Sequence, residues 1–278
     1  MTQSNRRDIT GSPAEPVGGI LAELGGRYAV SAHRYPDMSD DNGADRQIVL
    51  YPDLVFPAAS LAKLCIAVEL FRRVDLGQFD LSERFDTADE PRVGGGGMLD
   101  YLDPTTRLTL HELCFLMIAA SDNTAANFLL DLVGMGEVNE TMRRLNLAGT
   151  RLERHFMDFS LRARGHDNVT CAKDIAGLLA MAHGNSFPGA RNFRELLAGQ
   201  QVADDLRAWL PESAELGHKT GALDDNGAGA GTFHDAGLLR GPAGSCVFCL
   251  LTDAQPDLPA ARSAVGRVLR VLWESWCA

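Results

Sequence analysis

Strand-like segments occur at both ends of this 278-residue chain, whereas helical periodicity fills its middle. Apolar patterning predicts strands at residues 27–34 and 47–51, and again at 216–220, 232–239 and 246–251. A sheet must therefore be assembled from the two ends of the chain, because the intervening segments favour helices. The sequence predicts an α+β fold, in which N- and C-terminal helices flank an antiparallel sheet and an all-helical lobe is inserted between its strands.

The same pattern sets the expected boundaries. We expect one folded unit over residues 16–278, with an α/β lobe at 16–56 and 210–278 and the helical lobe at 57–209. Residues 1–15 are polar and aperiodic, which favours disorder. With 45% hydrophobic residues, the chain has enough apolar material for a large core. A groove between the lobes is the natural place for a ligand site.

Helix signals locate the remaining elements. Thr109 and Glu112 form a capping box, and Thr170 is a candidate N-cap. Residues 94–97 are four glycines that we expect to form a flexible loop, and residues 147–169 form a long aperiodic loop of the kind that is often functional. The predicted helices cover residues 17–24, 60–76, 109–120, 124–132, 137–145, 170–183 and 259–276, with one or two more between 183 and about 209.

Three polar motifs fall at junctions between these elements. In the first, Ser60 and Lys63 lie at the start of a helix with a spacing that puts both side chains on one face. A serine hydroxyl is a poor nucleophile until a base removes its proton, and a lysine shielded from water can have its pKa lowered enough to do so. The Ser60 N–H, at a helix N-terminus, can also face a developing oxyanion.

The other two motifs, at residues 121–123 and 219–221, supply the remaining parts of an acyl-transfer site. Ser121 can relay a proton to a leaving nitrogen, and Asn123 can donate its amide to a substrate carbonyl. Lys219 offers a positive charge to a substrate carboxylate and favours the neutral form of Lys63. The last group comprises the Thr220 hydroxyl for substrate binding, Gly221 for close approach of the substrate, and the Ala222 N–H for the oxyanion hole.

Each motif has an ordinary structural explanation when it is taken alone. Ser-x-x-Lys is common in capped helices, Ser-Asp-Asn consists of residue types that favour helix caps, and Lys-Thr-Gly suits an exposed strand end. Their joint occurrence in this order, each at a junction between elements, instead favours a serine-based acyl-transfer site.

The motifs and their surroundings at residues 56–60, 121–127 and 218–221 resemble those of the class A β-lactamase and penicillin-binding protein superfamily. The resemblance extends from about residue 17 to the final helix. It implies no cofactor and no metal. It implies that Ser60 is acylated, that Lys63 activates it, that Ser121 relays protons, and that Asn123, Lys219 and Thr220 hold the substrate, with Tyr101 at the edge of the groove.

The chain departs from the class A pattern in two places. Class A enzymes carry a Glu and an Asn that position the water for hydrolysis of the acyl-enzyme, and Phe156 and Ser160 stand at those positions here. A phenylalanine cannot act as a general base. Asp158 is the nearest carboxylate, which we interpret as a structural loop residue rather than a replacement base. The usual carboxylate-binding arginine is not evident either, and His234 is either a partial replacement or a structural histidine.

These features predict a serine hydrolase that forms an acyl-serine from an amide, lactam or ester. β-Lactam hydrolysis is the leading activity, and Phe156 predicts that it is weak. The enzymatic alternatives are a D-alanyl carboxypeptidase, an esterase or an acyltransferase of small-molecule biosynthesis, and the non-enzymatic one is a penicilloyl sensor. The expected partner is a small carbonyl compound that carries a carboxylate, and the expected state is a monomer or a weak oligomer.

Net charge and the absence of targeting signals exclude several classes of binding partner and bear on where the protein is found. The formal net charge of −11 argues against nucleic acid and anionic membranes. There is no apolar run of about 18 residues, so no transmembrane helix is expected. The N-terminus does not resemble a signal peptide, which predicts a cytoplasmic protein, or a secreted one if its leader is absent from this sequence.

Cys246 and Cys249 fall on a predicted strand and point to opposite faces, which favours core packing of free thiols over metal binding.

Overall fold

The computed structural model describes residues 12–36, 46–202, 204–224 and 230–278. The strands in these segments are β1 (Arg27–Pro36), β2 (Gln47–Leu50), β3 (Val55–Pro57), β4 (Arg84–Asp86), β5 (Arg107–Thr109), β6 (Val169–Cys171), β7 (Glu215–Leu223), β8 (Gly231–Gly241) and β9 (Gly244–Gln255). The helices are α1 (Ala14–Ala22), α2 (Ala62–Asp75), α3 (Leu110–Ala119), α4 (Asn123–Val133), α5 (Met135–Arg144), α6 (Phe159–Ala163), α7 (Ala172–His183), α8 (Ala190–Ala198), α9 (Asp204–Arg207) and α10 (Leu258–Leu272).

The main sheet is antiparallel and has five strands in the order β2-β1-β9-β8-β7. Strands β1 and β2 come from the start of the chain and the other three from its end. The predicted α+β fold with a sheet built from both ends is therefore confirmed. Strand β7 is an edge strand, so its residues from Lys219 to Ala222 are available to a groove on that side.

The two faces of the sheet are covered by different helices. Helices α1 and α10 pack on one face, and α10 continues into a π-helical turn at Trp273–Cys277. The helical lobe packs on the other face, through α7 and its neighbours. Cys246 belongs to the first core and Cys249 to the second, which confirms that they point to opposite faces. All six cysteines are buried free thiols.

Several boundaries differ from the sequence-based expectation. Helix α1 begins at Ala14 rather than residue 17, and the expected disorder of residues 1–15 falls mainly on residues 1–11, outside the described residues. Thr170 is not a helix cap, because it lies in β6 and its hydroxyl bonds that of Thr150 at 2.8 Å. Helix α7 instead begins after Cys171 without a side-chain cap. The long loop contains the short helix α6, which is capped by Asp158.

Two small sheets accompany the main one, and the first of them connects the lobes. Strand β3 pairs with β6, and β4 pairs with β5. The first pair ties the segment before Ser60 to the long loop, and Ala58 N donates to Asn168 O at 2.7 Å. None of the helices that the structure describes is long and apolar enough to span a membrane.

Candidate active site

Ser60 lies in a short 3-10 turn, Ala59–Leu61, that leads into α2. The sequence predicted an α-helix from Ser60, and the structure instead places the first α-helical residue at Ala62. This turn packs against the edge strand at Gly221, where an added Cβ would lie 3.2 Å from Ser60 N. Glycine is therefore favoured at residue 221, because a larger residue would force β7 and the Ser60 turn to move apart by a few tenths of an ångström.

The amino group of Lys63 is fully buried and joins the first two motifs. Its Nζ lies 3.3 Å from Ser60 Oγ and 3.2 Å from Ser121 Oγ. It also donates to Ser121 O at 2.6 Å and to Asn123 Oδ1 at 2.8 Å. The amine thus lies within hydrogen-bonding distance of both hydroxyls, as proton transfer between them through Lys63 requires.

Lys219 of the third motif also binds the Ser121 hydroxyl. Lys219 Nζ donates to Ser121 Oγ at 3.0 Å and to Thr220 O at 2.9 Å. Ser121 therefore lies between two amines, and its φ of 54° turns the chain sharply between α3 and α4. The structure brings together Ser60, Lys63, Ser121, Asn123 and Lys219 as the sequence predicted.

Burial lowers the proton affinity of both lysines, and repulsion from Lys219 adds to this effect at Lys63. Burial holds the pKa of Lys63 well below its usual value, the nearby Lys219 lowers it further, and Asp122 opposes the shift. Burial lowers the pKa of Lys219 to about 7, against the opposing influence of Asp235. A lowered pKa increases the share of the unprotonated amine, whose lone pair can accept the Ser60 proton.

Asp122 organises the wall of the groove. Its carboxylate caps α4 by accepting from Ala125 N at 2.8 Å, and it also accepts from Met98 N and Leu99 N at 2.7 Å each. Asn123 Nδ2 donates to Gly94 O at 2.9 Å. The four-glycine loop, which the sequence presented only as flexible, is therefore fixed against the Ser-Asp-Asn motif.

A small cavity of about 60 Å³ opens beside Ser60, and Asn123, Met157 and Ala222 also line it. Thr220 is buried on the edge strand nearby. Tyr101 ends a 3-10 turn that follows the glycine loop, with 84% of its surface exposed. Exposure alone does not locate Tyr101 relative to the groove, so its place at the edge stays a prediction.

Phe156 stands at the back of this cavity and is only 7% exposed. Its backbone is fixed by Asn127, which accepts from Phe156 N at 2.8 Å and donates to Phe156 O at 3.2 Å. The ring centroid lies 4.9 Å from Lys63 Nζ. An aromatic ring thus occupies the space beside the nucleophile where the class A pattern predicts a carboxylate.

The two polar candidates of the long loop bind each other and the backbone. Asp158 caps α6 by accepting from Leu161 N at 2.9 Å, and Ser160 Oγ donates to Asp158 at 2.9 Å. These bonds lower the pKa of Asp158, with the Leu161 N–H contributing most. This environment makes Asp158 a weak base and supports its interpretation as a structural residue.

The structure corrects the suggestion that His234 contacts substrate. Its side chain is fully buried, its Nε2 donates to Pro57 O at 2.7 Å, and its Nδ1 accepts from Thr252 N at 3.1 Å. Burial lowers its pKa to about 4, so the ring is neutral at pH 7. His234 is therefore a structural residue that connects β8 to β3, and it supplies no positive charge to the groove.

Sequence reasoning missed the residues that hold the long loop in place. Arg154 is buried and forms an ion pair with Asp167 at 2.7 Å. Asn168 Oδ1 accepts from the backbone N–H groups of Glu153 and Arg154 at 2.8 and 3.1 Å. The only available signal was the presence of amide and charged side chains in an aperiodic segment, and it does not specify their partners.

Known proteins are similar to this chain in sequence and in fold. A sequence model of the Beta-lactamase enzyme family matches residues 21–276. The β-lactamase of Streptomyces albus G is 30% identical over 275 residues, which cover 93% of this chain and 83% of that protein. The crystal structure of a β-lactamase from Sphaerobacter thermophilus DSM 20745 has a TM-score of 0.80 and 27% identity, covering 96% of this chain and 97% of the other.

A structure of PBP-A is similar in fold, with a TM-score of 0.79, 24% identity and coverage of 95% of both chains. The match of the family model spans almost the whole chain and includes all three motifs. The arrangement of a serine, two lysines and a second serine around one point fits the chemistry of an acyl-serine enzyme. The chain therefore belongs to the β-lactamase enzyme family and is a serine hydrolase of the class A β-lactamase and penicillin-binding protein superfamily.

Proposed function

We propose that this protein opens β-lactam rings through an acyl-Ser60 intermediate, and that this intermediate is hydrolysed slowly. The observation that carries the proposal is the buried Lys63 amine, which lies 3.3 Å from Ser60 Oγ and has a lowered pKa. The relatives named β-lactamase support the choice of substrate class.

In the acylation step, Lys63 accepts the Ser60 hydroxyl proton while Oγ attacks the lactam carbonyl carbon. The carbonyl oxygen becomes an oxyanion, and the N–H groups of Ser60 and Ala222 stabilise it. Ser121 Oγ lies 3.2 Å from Lys63 Nζ, so it can pass the proton on to the lactam nitrogen. The C–N bond then breaks and the ring opens, which leaves an ester on Ser60 whose acyl group still carries the newly formed N–H amine.

The third motif and Asn123 orient the substrate. The Lys219 cation, which is partly populated near neutral pH, attracts the substrate carboxylate, and the Thr220 hydroxyl bonds the same group. Asn123 Nδ2 uses one hydrogen for Gly94 O and retains the second for a substrate carbonyl. The residues placed near Ser60 therefore bind both ends of a compact carboxylate-bearing lactam.

The described part of the chain offers no evident base for deacylation. Phe156 occupies the space beside Lys63, and Asp158 is engaged in capping α6. Water then attacks the ester without the general-base assistance that contributes about 10²–10⁴-fold in enzymes. The acyl-enzyme is expected to persist, which also favours transfer to an acceptor other than water. Acyltransferase activity is therefore the second candidate function.

Intact-protein mass spectrometry tests the proposal. The protein and its Ser60→Ala variant are mixed with a penicillin, a cephalosporin and an activated ester that lacks a carboxylate. We expect a long-lived adduct of the mass of each lactam on the wild-type protein and none on the variant. If lactams give neither an adduct nor turnover while the ester acylates Ser60, the β-lactam assignment is wrong but the serine chemistry stands. Release of the adduct by added amines or alcohols, but not by water, would favour the acyltransferase.

A further inference from the structure

A second and larger cavity, of about 890 Å³, lies at the opposite end of β7 from the Ser60 groove. It is formed by the C-terminal end of α7, by α8, by the start of β7 and by the end of β8. Its volume is within the range of sites that bind small molecules. None of the residues assigned to acylation contributes to its walls.

Basic side chains line one wall of this second cavity, the rear cavity. Arg194 on α8 and Arg240 on β8 both lie close enough to His183 to lower its pKa, and burial lowers it most. Burial and two neighbouring cations together keep the His183 imidazole neutral. The wall therefore combines two permanent positive charges with a ring that can donate or accept a hydrogen bond.

Acidic side chains do not neutralise this wall. Among the described residues, neither Arg194 nor Arg240 forms an ion pair, although the chain as a whole carries a formal charge of −11. Arg194 Nη1 donates to Ala182 O and to Asn185 Oδ1, and neither of these bonds uses Nε or Nη2. Glu212 and Glu215 line the cavity as well, but neither pairs with a described arginine.

The donors around His183 are held in place. Ser245 Oγ is 2.9 Å from His183 Nε2. The Tyr35 ring stacks on the imidazole at a centroid distance of 4.3 Å, which fixes the plane of His183. The Arg194 guanidinium is held by its bonds to Ala182 O and Asn185 Oδ1, so Arg194, His183 and Ser245 form a preorganised group, and preorganisation reduces the entropic cost of binding an anion.

We propose that the rear cavity binds a phosphate group, either free phosphate or a phosphate monoester, between Arg194 and Arg240. Two guanidinium groups match the nearly two negative charges of phosphate, whereas a single carboxylate would leave one of them unpaired. Each guanidinium presents a planar fork of donors that fits phosphate oxygens bidentately. The volume beyond this wall leaves room for the organic part of a monoester.

Isothermal titration calorimetry on the full chain tests this site at constant ionic strength with three probes: inorganic phosphate, glycerol phosphate and succinate. The variant is Arg240→Gln, because Arg240 is exposed and its replacement does not disturb the core. The matched control is Arg191→Gln, since Arg191 is an exposed arginine on the same helix as Arg194 but pairs with Glu195. Adduct formation at Ser60 confirms that each variant is folded.

We expect saturable binding of phosphate or glycerol phosphate that Arg240→Gln weakens by about tenfold or more and Arg191→Gln leaves unchanged. Tighter binding of glycerol phosphate identifies a monoester as the preferred form, and tighter binding of phosphate identifies the free ion. The proposal is overturned if neither phosphate probe saturates, if succinate binds as tightly, or if the two variants behave alike.

Discussion

The ring of Phe156 lies against the amino group of Lys63, with the centroid 4.9 Å from Nζ. This contact has two consequences for the chemistry. The ring adds to the burial that lowers the pKa of Lys63, which favours acylation. It also takes up the space in which a base and its water would lie, which disfavours hydrolysis of the ester. One side chain thus favours the first half-reaction and slows the second.

Replacing Phe156 by glutamate is expected to shorten the lifetime of the acyl-enzyme by about tenfold or more, because a carboxylate beside Ser60 can activate water. The new charge is also expected to raise the pKa of Lys63 and so to slow acylation. Time-resolved intact mass after mixing with a penicillin measures both steps.

Phe156→Gln is the matched control, since it has the shape of glutamate without its basicity. If Phe156→Gln shortens the lifetime as much as Phe156→Glu, access of water rather than general-base catalysis limits deacylation. Asp158→Asn keeps a capping oxygen on α6 and is expected to leave the lifetime unchanged. A longer lifetime in that variant would make Asp158 the base.

Acylation by carboxylate-bearing lactams is expected to decline as the pH rises above about 7. Burial lowers the pKa of Lys219 to about 7, so the cation that attracts the carboxylate is present below this pH and is lost above it. In Lys219→Arg the decline is expected to disappear, because a guanidinium stays charged throughout this range. The measurement is the second-order rate of adduct formation between pH 5 and 9.

An activated ester without a carboxylate is the substrate control for this profile. It has no need of the Lys219 charge, and its acylation is expected to rise with pH as Lys63 loses its proton. A decline of the same size for ester and lactam would show that the titrating group acts on the nucleophile rather than on the carboxylate.

Removal of the Asp122 carboxylate is expected to destabilise the protein by about 2–4 kcal/mol, because three backbone N–H groups lose their acceptor. Asp122→Asn is expected to cost less than Asp122→Ala, since one amide oxygen remains. Urea unfolding at pH 7 gives the free energies of unfolding.

Asp257→Ala is the control, because it removes a helix cap on α10 that accepts one such bond. Its expected cost of about 1 kcal/mol sets the scale of a simple cap. Equal losses in Asp122→Ala and Asp257→Ala would show that the bonds to the glycine loop contribute nothing.

A buried carboxylate in α2 is expected to contribute stability that acid removes. Burial alone would raise the pKa of Glu69, but hydrogen bonds from Arg72, Arg73 and Thr141 hold it below its ordinary value of 4.5. Stability from a lowered pKa is present above 4.5 and is lost as the pH falls through the folded-state value. We expect Glu69→Gln to lower the free energy of unfolding by about 2 kcal/mol at pH 7 and by less at pH 3.

Glu140 offers a matched control for this measurement, because it pairs with Arg143 and Arg144 at the same spacings but lies at the surface. Glu140→Gln is expected to change stability little at either pH. A pH-independent loss in Glu69→Gln would attribute the effect to packing rather than to charge.

The fold class and the central residues could be predicted because the signals are local. Ser60 and Lys63 share a helical face by spacing alone, and the sheet strands show apolar patterns that need no knowledge of their partners. Two local signals were misleading. Thr170 resembles a cap by residue type, but its hydroxyl is committed to Thr150 from a distant part of the chain. Ser60 was expected in an α-helix, and the close approach of Gly221 accompanies a tighter 3-10 turn.

The remaining features depend on contacts between segments that are far apart in sequence. The placement of Phe156 against Lys63 requires Asn127 to fix the backbone of the long loop. His234 illustrates the same limit, since its position on a strand beside the third motif suggested a substrate contact. Its two ring nitrogens are instead satisfied by Pro57 and Thr252, which belong to neighbouring strands.

The glycine loop restricts how this enzyme can diversify. All four residues from Gly94 to Gly97 have positive φ, and an added Cβ would overlap Met157 at Gly95 and Asp122 at Gly97. Nearly any point mutation in this roof of the groove is therefore penalised by backbone strain or by a clash. New substrate preferences must arise on the opposing wall, where Met157 and Phe159 line the cavity with replaceable side chains. Among related proteins, substitutions should therefore accumulate at positions such as Met157 and Phe159, whereas the four glycines should stay unchanged.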